Sequence, residues 1–199
     1  MPSPIGHILA GTVVYLTGTN REERSRTTLG VTLLGSVFPD FDFLPGIFIG
    51  NPGAFHHGPS HSLAFAVLFG VAILLIARRF QDRVVSVRAA ALGTLAYSSH
   101  IVLDLINVSA GGARGLPVIW PLANDQFGFD LGLLGHFHHG GLQQGIWSVV
   151  RWDNVPAVLS ELVVLGFLAF VLLLREQCIA SRVRRKASRR ALNSHCRKR

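Results

Sequence analysis

Apolar residues gather into five blocks along the chain: 5–18 (IGHILAGTVVYLTG), 27–49, 60–77 (SHSLAFAVLFGVAILLIA), 89–109 and 156–174. A helix needs about 20 apolar residues to cross the hydrocarbon core of a bilayer. The third and fifth blocks approach that length uninterrupted. The second and fourth are long enough but carry carboxylates. The first is short, and a dip into the interface is the expectation for it. Pro39 predicts a break in the second block, because its ring opposes a continuous helix through Val37-Phe38-Pro39. Residues 110–155 are rich in Gly and too polar to span, and a connection of that length is usually functional or flexible. No signal peptide is expected, since no basic region precedes the first block and His7 interrupts it. The pattern predicts an all-α, multi-pass membrane protein with about four to five hydrophobic helices.

Composition agrees. Of the 199 residues, 49% are hydrophobic and 15% charged, against about 25% charged in soluble domains. Disorder is excluded for most of the chain. Two cysteines, Cys178 and Cys196, exclude a disulfide scaffold and a cysteine-based zinc site. The net charge of +8 is unevenly held: residues 175–199 carry ten Lys or Arg and one acid, Glu176, whereas residues 1–174 carry nine basic and ten acidic residues. The chain therefore divides into a hydrophobic body, 1–174, and a basic tail, 175–199. A basic run directly after an apolar block reads as a cytoplasmic membrane flank, and a nucleic-acid partner is disfavoured.

The remaining basic residues set an orientation. Arg21, Arg24 and Arg26 separate the first two blocks, and Arg78, Arg79, Arg83 and Arg88 separate the third and fourth. Placing both loops and the tail in the cytoplasm is self-consistent for five crossings of a cell (inner) membrane. Both cysteines then stay reduced.

Ionisable residues inside or beside the blocks carry the candidate chemistry: His7, Asp40 with Asp42, the His56/His57/His61 group, His100 with Asp104, and Glu161. A charge in hydrocarbon costs about 3 kcal/mol or more, so each needs a partner, either a hydrogen-bonding group or a metal. His100 and Asp104 are four apart, which stacks them on one helix face. Imidazole nitrogen and carboxylate oxygen are ligands for zinc and similar ions. Asp40 and Asp42 can converge on one ion, or one can act as base. Ser60 suits an N-cap for the third helix, with His61 and Ser62 in its first turn. His136, His138 and His139 are expected to titrate in solvent, and His195 and Cys196 carry no specific signal. With the orientation above, all five elements bring ligand-type residues to one depth, towards the outer side.

Gly6-His7, Pro39-Asp40-Phe41-Asp42, His56 through Ser62, Ser99-His100-Ile101-Val102-Leu103-Asp104 and Leu116-Pro117-Val118-Ile119-Trp120-Pro121 follow one another in that order. This order resembles the YdjM-like membrane-bound metal-dependent hydrolases over about residues 5–125. The resemblance implies metal-site roles for His7, Asp40, Asp42, His56, His61, His100 and Asp104. The chain departs from the family pattern at His57, where Arg is common, and at Pro59 and Ser60. Losing that Arg removes a fixed cation suited to phosphate, a role that a protonated His57 can take. The ordering is also distantly similar to the helical zinc-dependent phospholipase C and nuclease fold, in which Glu161 would suit a late ligand.

The expectation is thus a hydrolase, of phosphoester bonds in particular, with a divalent metal facing the non-cytoplasmic side. Zinc is the first choice and manganese the second. Asp42 or Asp40 would accept the proton of an activated water. Membrane lipids are the expected partners, and a lipid or lipid-linked phosphoester the substrate. Two rivals stand beside it. One is an intramembrane serine hydrolase pairing Ser60 with His100. The other is a metal or proton transporter, or a structural protein, built on the same residues.

Overall fold

Ser3 and Pro4 start the first helix. In the computed structural model α1 spans Pro4–Gly18, and the Ser3 hydroxyl accepts the Gly6 N–H at 3.2 Å. α2 (Arg26–Val37) is capped by Ser25, which accepts from Thr28 at 3.0 Å. It ends where Pro39 stands: Phe38–Asp42 forms a 3-10 turn, and α3 (Phe43–Phe48) follows. α4 (Leu63–Ala77) and α5 (Arg83–Leu105) are capped by Ser62 and Asp82. The last helical stretch comprises α6 (Val155–Glu161), a π-helical turn at Leu162–Gly166, and α7 (Phe167–Cys196). The structure describes residues 2–51, 53–108, 115–129, 131–132, 134–135, 137 and 151–196, with side chains only to 181 in the last stretch. His136, His138 and His139 lie outside the described residues, as does the His195 side chain.

One boundary differs from the sequence expectation. The cap of α4 is Ser62 and not Ser60, because Pro59–His61 closes its own 3-10 turn before an extended Ser62 opens the helix. The basic tail is helical, since α7 runs without interruption through residue 174 to Cys196. Among the described residues the only β pairing is the isolated Leu116–Phe127 bridge.

α5 is the axis of the bundle, with α1, α2 and α4 packed around it. Ala89, Ala96, Tyr97 and Ile101 are buried along its length. Small residues let the backbones approach, as helix packing in lipid requires. A Cβ on Gly35 of α2 would lie 2.5 Å from the Gly93 carbonyl oxygen of α5. The buried Thr32 and Ser36 hydroxyls donate to the Thr28 and Leu33 carbonyls of their own helix, at 2.7 and 2.8 Å. Their needs are met locally, so α2 can turn this face to the core.

The outward faces are apolar. Val67, Leu68 and Leu75 of α4 and Phe167, Phe170 and Leu174 of α7 are exposed. Soluble monomers rarely show continuous apolar faces of this extent. Among the described residues, two helical stretches, Arg26–Phe48 and Trp152–Ser181, are long and apolar enough to cross a membrane. The protein is a multi-pass, all-α membrane protein. Its two ends differ in kind. Arg88 meets Glu23 at 2.8 Å and Arg24 meets Glu176 at 2.6 Å, tying the α1–α2 connection to α5 and α7 at the basic end. His7, His61, His100 and Asp104 occupy the opposite ends of α1, α4 and α5.

Candidate metal centre

α5 supplies two groups one turn apart. His100 Nε2 lies 3.1 Å from Asp104 Oδ2, and both side chains are wholly buried. The Pro59–His61 turn delivers His61, whose Nε2 is 3.4 Å from Asp104 Oδ2 and 3.4 Å from His100 Nε2. The turn forced by Pro39 delivers Asp40, whose Oδ1 is 3.4 Å from His100 Nε2 and 3.8 Å from His61 Nε2. One ligand atom from each of these four residues lies within 4.8 Å of the others. From α1, the His7 ring stacks on His100 with centroids 3.7 Å apart, and its Nε2 is 3.4 Å from Asp104 Oδ1.

A second layer fixes the rings. His100 Nδ1 donates to the Ser36 carbonyl at 2.8 Å. A carbonyl only accepts, so the proton sits on Nδ1 and the Nε2 lone pair faces the cluster. Asp42 does not join Asp40. Its Oδ2 stands 3.3 Å from His61 Nδ1, on the far side of that ring, and its Oδ1 is 3.0 Å from His56 Nδ1. The Ser60 hydroxyl donates to Asp42 at 2.8 Å and lies 3.0 Å from His61 Nδ1. Tyr97 donates to the Ser60 carbonyl at 2.6 Å, which pins the turn to α5. His57 takes φ 60°, a left-handed conformation uncommon for a side-chain-bearing residue, just before Gly58.

The predicted residues therefore separate. Asp40, His61, His100 and Asp104 converge, and His7 stands beside Asp104. Asp42 and His56 lie one step outward, on the back of His61. His56, His57 and His61 form a second group with ligand-type spacing. Glu161 stands apart from the cluster, where it accepts the Ser3 N–H at 2.5 Å and also the Ser3 hydroxyl. It clamps the start of α1. Ser60 pairs with Asp42 and His61, while the nitrogens of its predicted partner His100 face Ser36 and the carboxylates.

A model of the YdjM inner membrane protein family matches residues 1–178. The chain belongs to that family. No curated protein and no solved structure matches it.

This YdjM-family site has unmet needs. Both Asp104 oxygens, Asp40 Oδ1 and both His7 nitrogens are buried without a hydrogen bond. Buried polar atoms are paired in the great majority of cases, and leaving a charged one unpaired costs several kcal/mol. With neutral imidazoles the two carboxylates also leave a buried charge of −2. His61 registers this excess. Burial alone would lower its pKa, yet Asp104, Asp40 and Asp42 outweigh burial and raise it well above the ordinary imidazole value. A divalent cation would meet both needs, and this His/Asp donor set could hold one. Three positioning groups escaped the sequence reading: the Ser36 carbonyl, Ser3 and Tyr97. A main-chain acceptor leaves no mark on residue identity. Ser3-Pro4 is legible as a cap, but its carboxylate partner is 158 residues away.

Proposed function

We propose that the protein is a membrane-bound, metal-dependent hydrolase of phosphoesters, working at the non-cytoplasmic face. The reading rests on one observation: Asp104 is wholly buried, lacks hydrogen bonds to both oxygens, and faces the Nε2 atoms of His61 and His100. His61, His100 and Asp104 would hold the ion, and zinc fits the donors best, with manganese next. Such an ion supplies Lewis acidity to a phosphoryl oxygen and makes water a stronger acid. Asp40 has the one cluster side chain with appreciable exposure, 18%. Its carboxylate would take the proton of the attacking water. Asp42 and the Ser36 carbonyl hold the His61 and His100 rings, and His7 steadies Asp104.

The orientation is supported by Arg21, Arg24, Arg26, Arg78, Arg79, Arg83 and Arg88, which lie at the end of the bundle opposite the site. The site lies at one end of an apolar bundle, which favours a lipid or lipid-linked substrate. The test is to purify the chain in mild detergent, measure bound metal by elemental analysis, and screen phosphoesters. One zinc or manganese per chain, with cleavage of bis(4-nitrophenyl) phosphate, is expected. Bound metal without cleavage of any phosphoester, lipid ones included, removes the hydrolase.

A further inference from the structure

A cavity of about 330 Å³ lies between the loop that precedes α4 and the loop after α5. Its wall includes His56, His57, Trp120, Asn124 and Gln126. His56 and His57 also neighbour the centre's His61, their rings 5.4 and 5.1 Å from its ring. Trp120 packs against Phe65, with centroids 5.7 Å apart. The two loops are joined to each other, because Leu63 N–H donates to the Val118 carbonyl at 3.0 Å. The cavity wall is therefore built on the same framework that delivers His61.

We propose that this cavity is a subsite for a hydroxyl-rich ring carried on the phosphoester, such as a sugar or cyclitol headgroup. The described wall offers an aromatic face, two carboxamides and two imidazoles. Carboxamides both donate and accept, as hydroxyl groups do, so each can bond a hydroxyl in either sense. An aromatic face covers the C–H side of such a ring. A few polar groups convergent on an apolar pocket of this size is the general form of a small-molecule site. The ring would then lie towards Trp120, Asn124 and Gln126, with the ester chain leading towards the candidate metal centre. This subsite rests on the hydrolase reading for its phosphoester, but its recognition of the ring is measured separately.

The probes are dihexanoyl phosphatidylinositol, dihexanoyl phosphatidylcholine, dihexanoyl phosphatidic acid and glycerophosphoinositol. Their binding to the zinc-loaded full chain in nanodiscs is measured by calorimetry. The inositol lipid should bind at least about tenfold tighter than the other two lipids, the scale of one or two good hydrogen bonds. An Asn124→Ala/Gln126→Ala double variant should lose that preference while keeping its zinc. Both residues are exposed, so the bundle should not be disturbed, and Trp120→Ala provides a second, independent loss. Tight binding of glycerophosphoinositol points to a soluble substrate, and binding of the lipid alone points to a lipid; both support the subsite. Equal binding of all three lipids, or a preference that survives in both variants, overturns it. If the preference stands while bis(4-nitrophenyl) phosphate is never cleaved, the hydrolase fails and the ring subsite remains.

Discussion

Asp104 and Glu161 are both completely buried carboxylates, yet their surroundings are opposite. Glu161 is met by the backbone N–H and the hydroxyl of Ser3, at the positive end of α1. A Cβ on Gly6 would lie 2.7 Å from its Cδ, so the chain is shaped to admit it. Asp104 is met by three imidazoles and no hydrogen bond. The first carboxylate is a finished structural clamp. The second has both oxygens without a hydrogen bond, which makes it a candidate ligand. A buried acid in an apolar helix is therefore no sign of a metal by itself; what its oxygens lack is the sign.

The largest effect should separate the two. The His100→Ala/Asp104→Ala double variant removes two donors and should reduce bound zinc from about one per chain to background, an affinity loss of roughly a thousandfold or more. Asp104→Asn should keep the fold, since it conserves shape, but zinc should no longer raise its melting temperature. Elemental analysis with thermal melts in detergent reads both. Zinc retained by the double variant would break the comparison.

Glu161→Ala comes next. It removes two hydrogen bonds to a charged acceptor and should cost about 2 kcal/mol of stability. It should lower the melting curves with and without zinc by the same amount, leaving one ion per chain. If Glu161→Ala loses its metal while remaining folded, Glu161 is a ligand and the contrast collapses. Gly6→Ala, which drives a methyl into the same carboxylate, should reproduce the destabilisation at about 1–3 kcal/mol.

Much of this was legible beforehand, for identifiable reasons. The five apolar blocks became helices because hydropathy and length act locally. The break at Pro39 followed from one ring. His100 and Asp104 could be paired from their spacing, because a helix fixes which residues share a face. The loops were harder. Asp40 and Asp42 are two residues apart and read as a pair, but the 3-10 turn sends one to each side of the His61 ring. Glu161 carried the same apparent signal as Asp104, and only the three-dimensional position of Ser3 distinguishes them. Ser60 read as a cap, yet a turn ending one residue before Ser62 gave it to Asp42.

Asp42 offers the next sharpening, because it acts on the centre only through His61. Asp42→Asn keeps a group near His61 Nδ1 but removes the charge that makes the imidazole a stronger donor to metal. Loss of such a partner typically costs about 10–100-fold in metal affinity. Competition with a chelator of known affinity measures it. Bound zinc should persist at saturation, unlike in the Asp104 variants. An unchanged affinity would strip Asp42 of its role and leave His61 oriented by Ser60 alone.

The smallest effect is in pH. The raised His61 pKa means that the metal-free fold holds a proton where the ion would sit. The sign follows from linkage. A pKa raised on folding contributes stability that is complete below the unfolded value, about 6.5, and is lost as pH rises through the folded value. The metal-free protein should therefore lose up to about 1.4 kcal/mol per pH unit over that window from His61. The zinc-loaded protein needs the neutral imidazole and has no such loss. Its apparent zinc affinity should climb with pH, by up to about tenfold per unit while one proton is displaced. The gap between the two melting temperatures should accordingly widen from pH 6.5 upward in wild type. In Asp104→Asn, which no longer binds the ion, it should be absent at every pH. In Glu161→Ala the widening should be as large as in wild type, because the clamp at Ser3 takes no part in the proton's exchange for the ion. Parallel curves for wild type would mean that no proton leaves the cluster when zinc binds.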